Sequence, residues 1–434
     1  MGRLQSRVQP SWADRHPLVL SRLDDGVIWD ALLEQLPLST TTNATEIRGR
    51  LGVVGLTLTR SSAATVQTSA STVVTSGIGV DDPRVGDAGY GRGLVVEPLA
   101  ENAMWGSRDF STAGTAWTAG TESYTAASGV VRPDGTADAP RQQAASGIYG
   151  RNQARGTFAD GAYLTVSLWR RAPSGTTSHA WWASPTNGTG GSYHTNTATL
   201  STTWERSIGI ARMSTSGSSG RITIMSVDGR TTSFGTTAGA RDVCLDFAQA
   251  EAGLYATEVI ITAGAAATRQ PDRVLLDSAA RIVRGGRVGL NARMALKGSI
   301  GGSNDYSADP YLWRYDASNY ASINRTTGVV TIVIAGASYT TASGFTASRG
   351  DVVDYWVEAG GGSLQSVVKA RKSADGGTTW GAVTTLGTSG APQGTHPSSG
   401  PLDMFSGAGS ANHLSAWHQR FRAYGAGRRP AWAA

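Results

Sequence analysis

Residues 163–171 read Tyr-Leu-Thr-Val-Ser-Leu-Trp-Arg-Arg, with apolar side chains at Leu164, Val166 and Leu168 and hydroxyls at Thr165 and Ser167 between them. A period of two is the signature of a strand with one buried face, and no helix can satisfy it. Similar runs recur at 204–210, 221–225, 242–247, 287–296, 311–315, 329–334, 352–358 and 366–371, parted by Ser- and Gly-rich turns. Short strands at this spacing predict all-β sandwiches. Composition agrees: charged residues are 16% of the chain, against about 25% in an average soluble domain. Glycines number 56 in 434 residues, near twice the usual share of about 7%. That length suggests two or three domains, each able to bury a core.

The chain divides by pattern. Residues 1–50 read as an attachment segment. Asp24-Asp25 can cap a helix starting near Gly26, in which Val27, Ile28, Ala31, Leu32 and Leu36 make one apolar stripe before Pro37 stops it. A helix of about 11 residues is marginal alone in water, so it must dock on the chain's own β-domain or on a neighbour. Residues 51–100 hold short β-like runs and read as an extended segment. Residues 101–274 carry a first sandwich. A linker is expected at residues 273–280, around Pro271-Asp272-Arg273, and residues 275–434 carry a second sandwich, with Asp375-Gly376-Gly377 as a hairpin turn. The expectation is two sandwiches in tandem behind a short N-terminal segment with one helix. No heptad, Gly-X-Y or β-helical repeat occurs, which excludes a fibrous shaft.

Charge and cysteine content exclude several functions. The formal charge is +6, but the cations are dispersed, and the nearest to a basic run is Arg420-Phe421-Arg422 with Arg428-Arg429. A nucleic-acid protein concentrates its charge on one face, so no nucleic-acid partner is expected. No apolar run reaches 18 residues, so no membrane insertion is expected, and no signal peptide is read at the N-terminus. The single cysteine, Cys244, cannot pair within the chain. It sits in an apolar run and reads as a small core residue rather than a catalytic thiol.

Several segments resemble phage tail-fibre, head-fibre and other virion-surface proteins. They are Thr59-Arg60-Ser61-Ser62-Ala63-Ala64-Thr65-Val66, Asp82-Pro83-Arg84-Val85, Gly93-Leu94-Val95-Val96-Glu97-Pro98, Ser107-Arg108-Asp109-Phe110 and Pro133-Asp134-Gly135-Thr136. The closing run from Asp246 to Gly253, continued to Thr268-Arg269, completes the set. The resemblance covers roughly 56–274 and departs at Asn102-Ala103-Met104 and Ile260-Ile261-Thr262. It implies a carbohydrate-binding-module-like jelly-roll sandwich at the virion surface, contacts with other virion proteins, a host cell-surface polysaccharide as ligand, and a homotrimer. The last region is similar to concanavalin-like or laminin-G-like sandwiches at Tyr320-Ala321-Ser322-Ile323-Asn324 and along 414–424.

Catalytic signatures are lacking. No GxSxG or HExxH is present, and His413 and His418 are five apart, which suits packing or solvation better than metal ligation. The carboxylate pairs Asp351 with Asp354 and Asp305 with Asp309 leave a polysaccharide depolymerase as the alternative, since glycoside hydrolysis needs two acids across a groove. A purely structural base holding another fibre is a third reading. No organic cofactor is expected. Asn304, Asp305 and Asp309, after Gly301-Gly302, are the hard oxygen ligands calcium prefers. Aromatic residues are the better lead, because sugar rings stack their C–H faces on Trp and Tyr. One set is Trp181, Trp182, Tyr193 and His194, with His179 and Asn187, in a stretch read as a loop. The other is Trp313, Tyr315 and Tyr320. Core packing is the competing explanation for each.

Overall fold

The structure is a computed structural model that describes residues 27–89, 91–110, 117, 123–125, 128–144, 152–159, 161–185, 194–213, 218–225, 241–302, 305–306, 308–361, 366–389, 394–406, 412–425 and 428–434. It is all-β: antiparallel sheets carry the chain, with one α-helix, Ala44–Val53, among the described residues. No helix there is long and apolar enough to cross a membrane.

Two sheets form an outer sandwich. The nine-stranded sheet is ordered Thr384–Thr388, Val367–Ser373, Val352–Gly360, Arg287–Leu296, Ala416–Tyr424, Gly93–Val96 and Val85–Gly86. Val27–Leu32 also pairs with Ala416–Tyr424, and Val283–Arg284 pairs with Arg287–Leu296. The seven-stranded sheet runs Leu56–Thr59, Arg273–Leu276, Leu402–Met404, Tyr311–Asp316, Asn319–Ile323, Val330–Ile334 and Ala337–Thr340. Alternate residues of Arg287–Leu296 (Val288, Leu290, Ala292, Met294 and Leu296) meet Leu312, Ile323, Ile332 and Met404 from the facing sheet in one core. At about 25 cal/mol per Å² of apolar surface, this burial is what holds the two layers together.

The other sandwich is inserted into this one. Its five-stranded sheet is Glu205–Arg212, Tyr163–Arg171, Arg241–Ala252, Arg141–Ala144 and Ser123–Thr125. Its four-stranded sheet is Asn152–Phe158, Ser218–Met225, Thr177–Pro185 and His194–Leu200. Leu164, Val166 and Leu168 point into its core with Phe110, Trp117 and Leu245, as the alternation predicts. The chain leaves the outer sandwich after Gly93–Val96 and re-enters at Arg273–Leu276. At the neck, Ala100–Asn102 pairs with Ala267–Arg269.

The sandwich class is as expected, but the sandwiches are nested where a tandem order was expected, and two local expectations are corrected. Residues 27–36 are not a helix: Val27–Leu32 is a strand, followed by a 3-10 turn at Leu33–Gln35. Asp24 and Asp25 lie outside the described residues. The open edge of Ala416–Tyr424 decides the matter, because a β-branched and aromatic run can fill it and bury both faces. The α-helix lies instead at Ala44–Val53, held by the Glu46–Arg50 pair and ended at Gly55, whose φ of +75° suits a chain leaving a helix. Only Ile47 and Leu51 are buried on it, too few for a readable stripe. Finally, Pro271-Asp272-Arg273 is no linker. Asp272 is wholly buried, and Arg273 begins a strand.

Candidate functional site

Where the inserted sandwich joins the outer one, seven ionisable side chains are buried together. Arg84 donates to Glu97 at 2.8 Å and also to Asp272, and Arg60 donates to Asp272 at 2.8 Å. Arg269 reaches Glu97 at 2.5 Å. Lys297 bridges Glu97 at 2.6 Å and Glu258 at 2.7 Å. Burial would push the Glu97 carboxyl up, but Arg269, Lys297 and Arg84 outweigh it and hold Glu97 well below the usual carboxylate range. Asp272 is lowered in the same way by Arg84 and Arg60, against its own burial. Arg60, Arg84, Glu97 and Arg269 come from four separate stretches of the chain and converge on one structural knot. Strands from both sheets of the outer sandwich bring three of the seven there: Arg60 follows Leu56–Thr59, Glu97 follows Gly93–Val96, and Lys297 follows Arg287–Leu296.

A second knot ties the inserted sandwich. Arg108 meets Asp134 at 2.8 Å and Asp246 at 3.3 Å, Arg132 meets Asp246 at 3.1 Å, and Arg108 lies 4.6 Å over the Phe247 ring. Phe110 goes to the core.

The first aromatic set is partly placed. Trp181 and Trp182 are neighbours in the strand Thr177–Pro185, not in a loop, because strands flank them on both sides. Trp181 lies opposite Asn196 and Ile224, and Trp182 opposite Thr195 and Thr223. His194 starts the next strand, opposite Ala183. The side chains of Trp181, Trp182 and His194, and all of Asn187 and Tyr193, lie outside the described residues. His179 is buried beside Arg170.

The second set is separated. Trp313 is 0% exposed and belongs to the outer core, so it offers no face to a ligand. A bulge between Tyr311 and Trp313 turns it inward. Tyr315 packs half-buried against the same core, edge-on to His396 at 5.8 Å. Tyr320 points to the other side of its sheet, edge-to-face with Tyr311 at 5.4 Å, and Arg314 stands 5.6 Å from the Tyr311 ring. Asp403 lies opposite Arg314 on the neighbouring strand and is paired to Arg273 at 2.5 Å. Tyr311, Arg314, Tyr320 and Asp403 thus form an aromatic and charged platform on the outer face of the seven-stranded sheet. Tyr311 and Arg314 escaped the sequence reading because bulges break the alternation of 311–316. The Tyr–Arg–Tyr clustering across the short 316–319 turn was the available signal.

The acidic residues are occupied. Asp305 accepts from the Ser299 N–H at 2.6 Å, and Asp309 from the Arg325 N–H at 3.0 Å and from Asn324 at 3.2 Å. Asn304 lies outside the described residues. Among the described residues no three or more His, Cys, Asp or Glu side chains stand together as metal ligands. Asp354 is buried between Arg293 and Arg371, both at 2.9 Å, while Asp351 closes a turn on the Ser348 N–H. His418 is buried and stacked on Phe405 at 3.9 Å, and its Nε2 is 3.1 Å from the Leu414 carbonyl. Cys244 is buried, and burial pushes its thiol up, which suits a core residue. No family model matches the chain, and no curated protein matches it.

Proposed function

We propose that the chain is a structural, receptor-binding component of a phage or phage-like particle, a fibre, spike or head decoration, that binds host cell-surface glycan without turning it over. The observation that carries this reading is the convergence of Arg60, Arg84, Glu97 and Arg269 on one buried knot. Four of the segments by which the chain resembles virion-surface proteins are joined there. Antibody labelling of intact particles tests it. Label on head or tail is expected, and particles free of the chain would end the proposal.

Glycan binding falls to the Tyr311–Arg314–Tyr320 platform. Both tyrosines are partly exposed and so offer ring surface to a sugar, while Arg314 can bond hydroxyls. Losing one stacking ring costs about 1–3 kcal/mol in aromatic stacking on nucleobases, and a similar loss is expected here. Tyr320→Ala should weaken adsorption of the purified protein to host cells ten-fold or more with little change in melting temperature. Trp313→Ala should instead cost about 3–5 kcal/mol of stability. Equal adsorption by Tyr320→Ala and the parent would remove the platform from the proposal. A homotrimer fits the resemblance and the preference of homo-oligomers for closed symmetry; the mass of the purified protein in solution at micromolar concentration checks it.

A further inference from the structure

We infer that the cavity where the two sandwiches meet is a second binding site, for a single sugar unit carrying a carboxylate. This rests on the glycan reading for the choice of a sugar, and on the cavity itself for the anion. The cavity holds about 230 Å³, and its walls include Gln67, Glu205, Arg206, Lys297, Arg349 and Trp417. That is below the roughly 300–1,000 Å³ of sites for drug-sized ligands, so it takes one ring rather than a chain.

Charge balance selects the ligand. The cavity wall itself carries three cations, Arg206, Lys297 and Arg349, against one carboxylate, Glu205. Glu97, Glu258 and Asp272 are taken by Arg60, Arg84, Arg269 and Lys297. Glu251 accepts from Thr257 and Gln249. Arg206 makes no ion pair among the described residues; burial disfavours its charge, which Glu258, Glu251 and Glu97 offset only in part. Its Nη2 donates to two neutral acceptors, the Ser167 hydroxyl at 3.0 Å and the Thr257 carbonyl at 2.7 Å. Its buried Nε has no hydrogen-bond partner among the described residues. A buried guanidinium N–H without an acceptor is costly, and a carboxylate is the acceptor it is shaped for. Glu205, the one acid in the wall, is held by Arg170 at 3.0 Å. Arg349 brings a second guanidinium to the wall, and Lys297 keeps a positive charge 4.2 Å from the Trp417 ring. A cation-lined cleft with low-dielectric walls concentrates anions. Gln67 adds an amide to the wall, which suits the hydroxyls of a sugar body better than a bare inorganic ion.

Calorimetric titration of the purified full chain with glucuronate, galacturonate, glucose and inorganic phosphate decides it. A uronate is expected to bind at least ten-fold tighter than glucose, and more weakly as salt rises. Arg206→Gln and Arg349→Gln should each lose ten-fold or more. Arg349→Gln, at a partly exposed position, should keep the parent's melting temperature and so guards against misfolding of the buried variant. Arg48→Gln, outside the cavity, should bind as the parent does. Glucose binding as tightly as the uronates, unchanged affinity in both cavity variants, phosphate binding in place of the uronates, or no binding at all would each overturn the assignment. Particle labelling is read independently, so a failed titration leaves the virion reading standing, and the converse holds.

Discussion

At the scale of single residues, the chain spends its few charges inside. Glu97 accepts from Arg84, Arg269 and Lys297, and also from the backbone N–H of Glu258 at 2.8 Å. Removing one partner of a buried ionic group leaves the others uncompensated, which costs about 3–5 kcal/mol. Glu97→Gln should therefore lower stability by that order in urea unfolding, although it keeps the shape. His418 makes a pH prediction. Burial holds its imidazole down to about 3, while the unfolded chain titrates near 6.5. Between those values the unfolded state binds the extra proton, so stability falls as pH falls through 6.5. From pH 8 to pH 5 the loss from this group is about 2 kcal/mol at 1.36 kcal/mol per unit. His418→Phe, which keeps an aromatic ring against Phe405, should flatten that part of the profile. An unchanged slope in the variant would show that other groups carry it.

At the scale of elements, strands with a clean alternation were legible to the residue. Tyr163–Arg171 and Arg287–Leu296 run as the pattern predicts, because apolar side chains at every second position have no helical solution, although both faces of each strand are buried. Val27–Leu32 was not legible. Val27, Ile28, Ala31 and Leu32 fit a helical stripe as well as a strand, and the choice was made by a vacant sheet edge nearly 400 residues away in Ala416–Tyr424. The charge knots were hidden for the same reason: Arg84 and Asp272 are 188 residues apart, a separation no local pattern encodes. The candidate site was half legible. Composition pointed to Tyr320, but a bulge sent Trp313 to the core and left Tyr311 and Arg314 outside. The corrected strand changes what truncation should do. Trp29 is buried and its indole N–H donates to the Val54 carbonyl at 3.0 Å, tying the strand to the helix. Removing residues 1–26 leaves every described core contact in place, whereas removing 1–50 strips an edge strand and most of the helix. The shorter cut should melt like the parent and the longer one should melt lower or not fold, as circular dichroism will read.

At the scale of the whole molecule, nesting couples the two sandwiches. Two chain passages cross the neck, paired as Ala100–Asn102 with Ala267–Arg269, and the seven-charge knot sits beside them. Glu258 and Arg269 come to the knot from the inserted sandwich side, while Arg60, Arg84 and Lys297 come from the outer one. Neither sandwich can unfold alone without exposing half of this knot and stranding the other half in a low-dielectric interior, at a cost of several kcal/mol. A free energy of that size is comparable with the whole stability of an ordinary domain, about 5–15 kcal/mol. The pair should therefore melt as one cooperative unit, with equal calorimetric and van't Hoff enthalpies at neutral pH. Glu258→Gln should weaken the coupling, since Lys297 of the outer sandwich then meets a neutral amide of the inserted one in place of a carboxylate. The expected result is a thermogram that splits into two transitions, one for each sandwich. Two transitions already present in the parent would mean that the knot positions the sandwiches without linking their stabilities, and a single shifted transition in the variant would place the coupling in the neck strands.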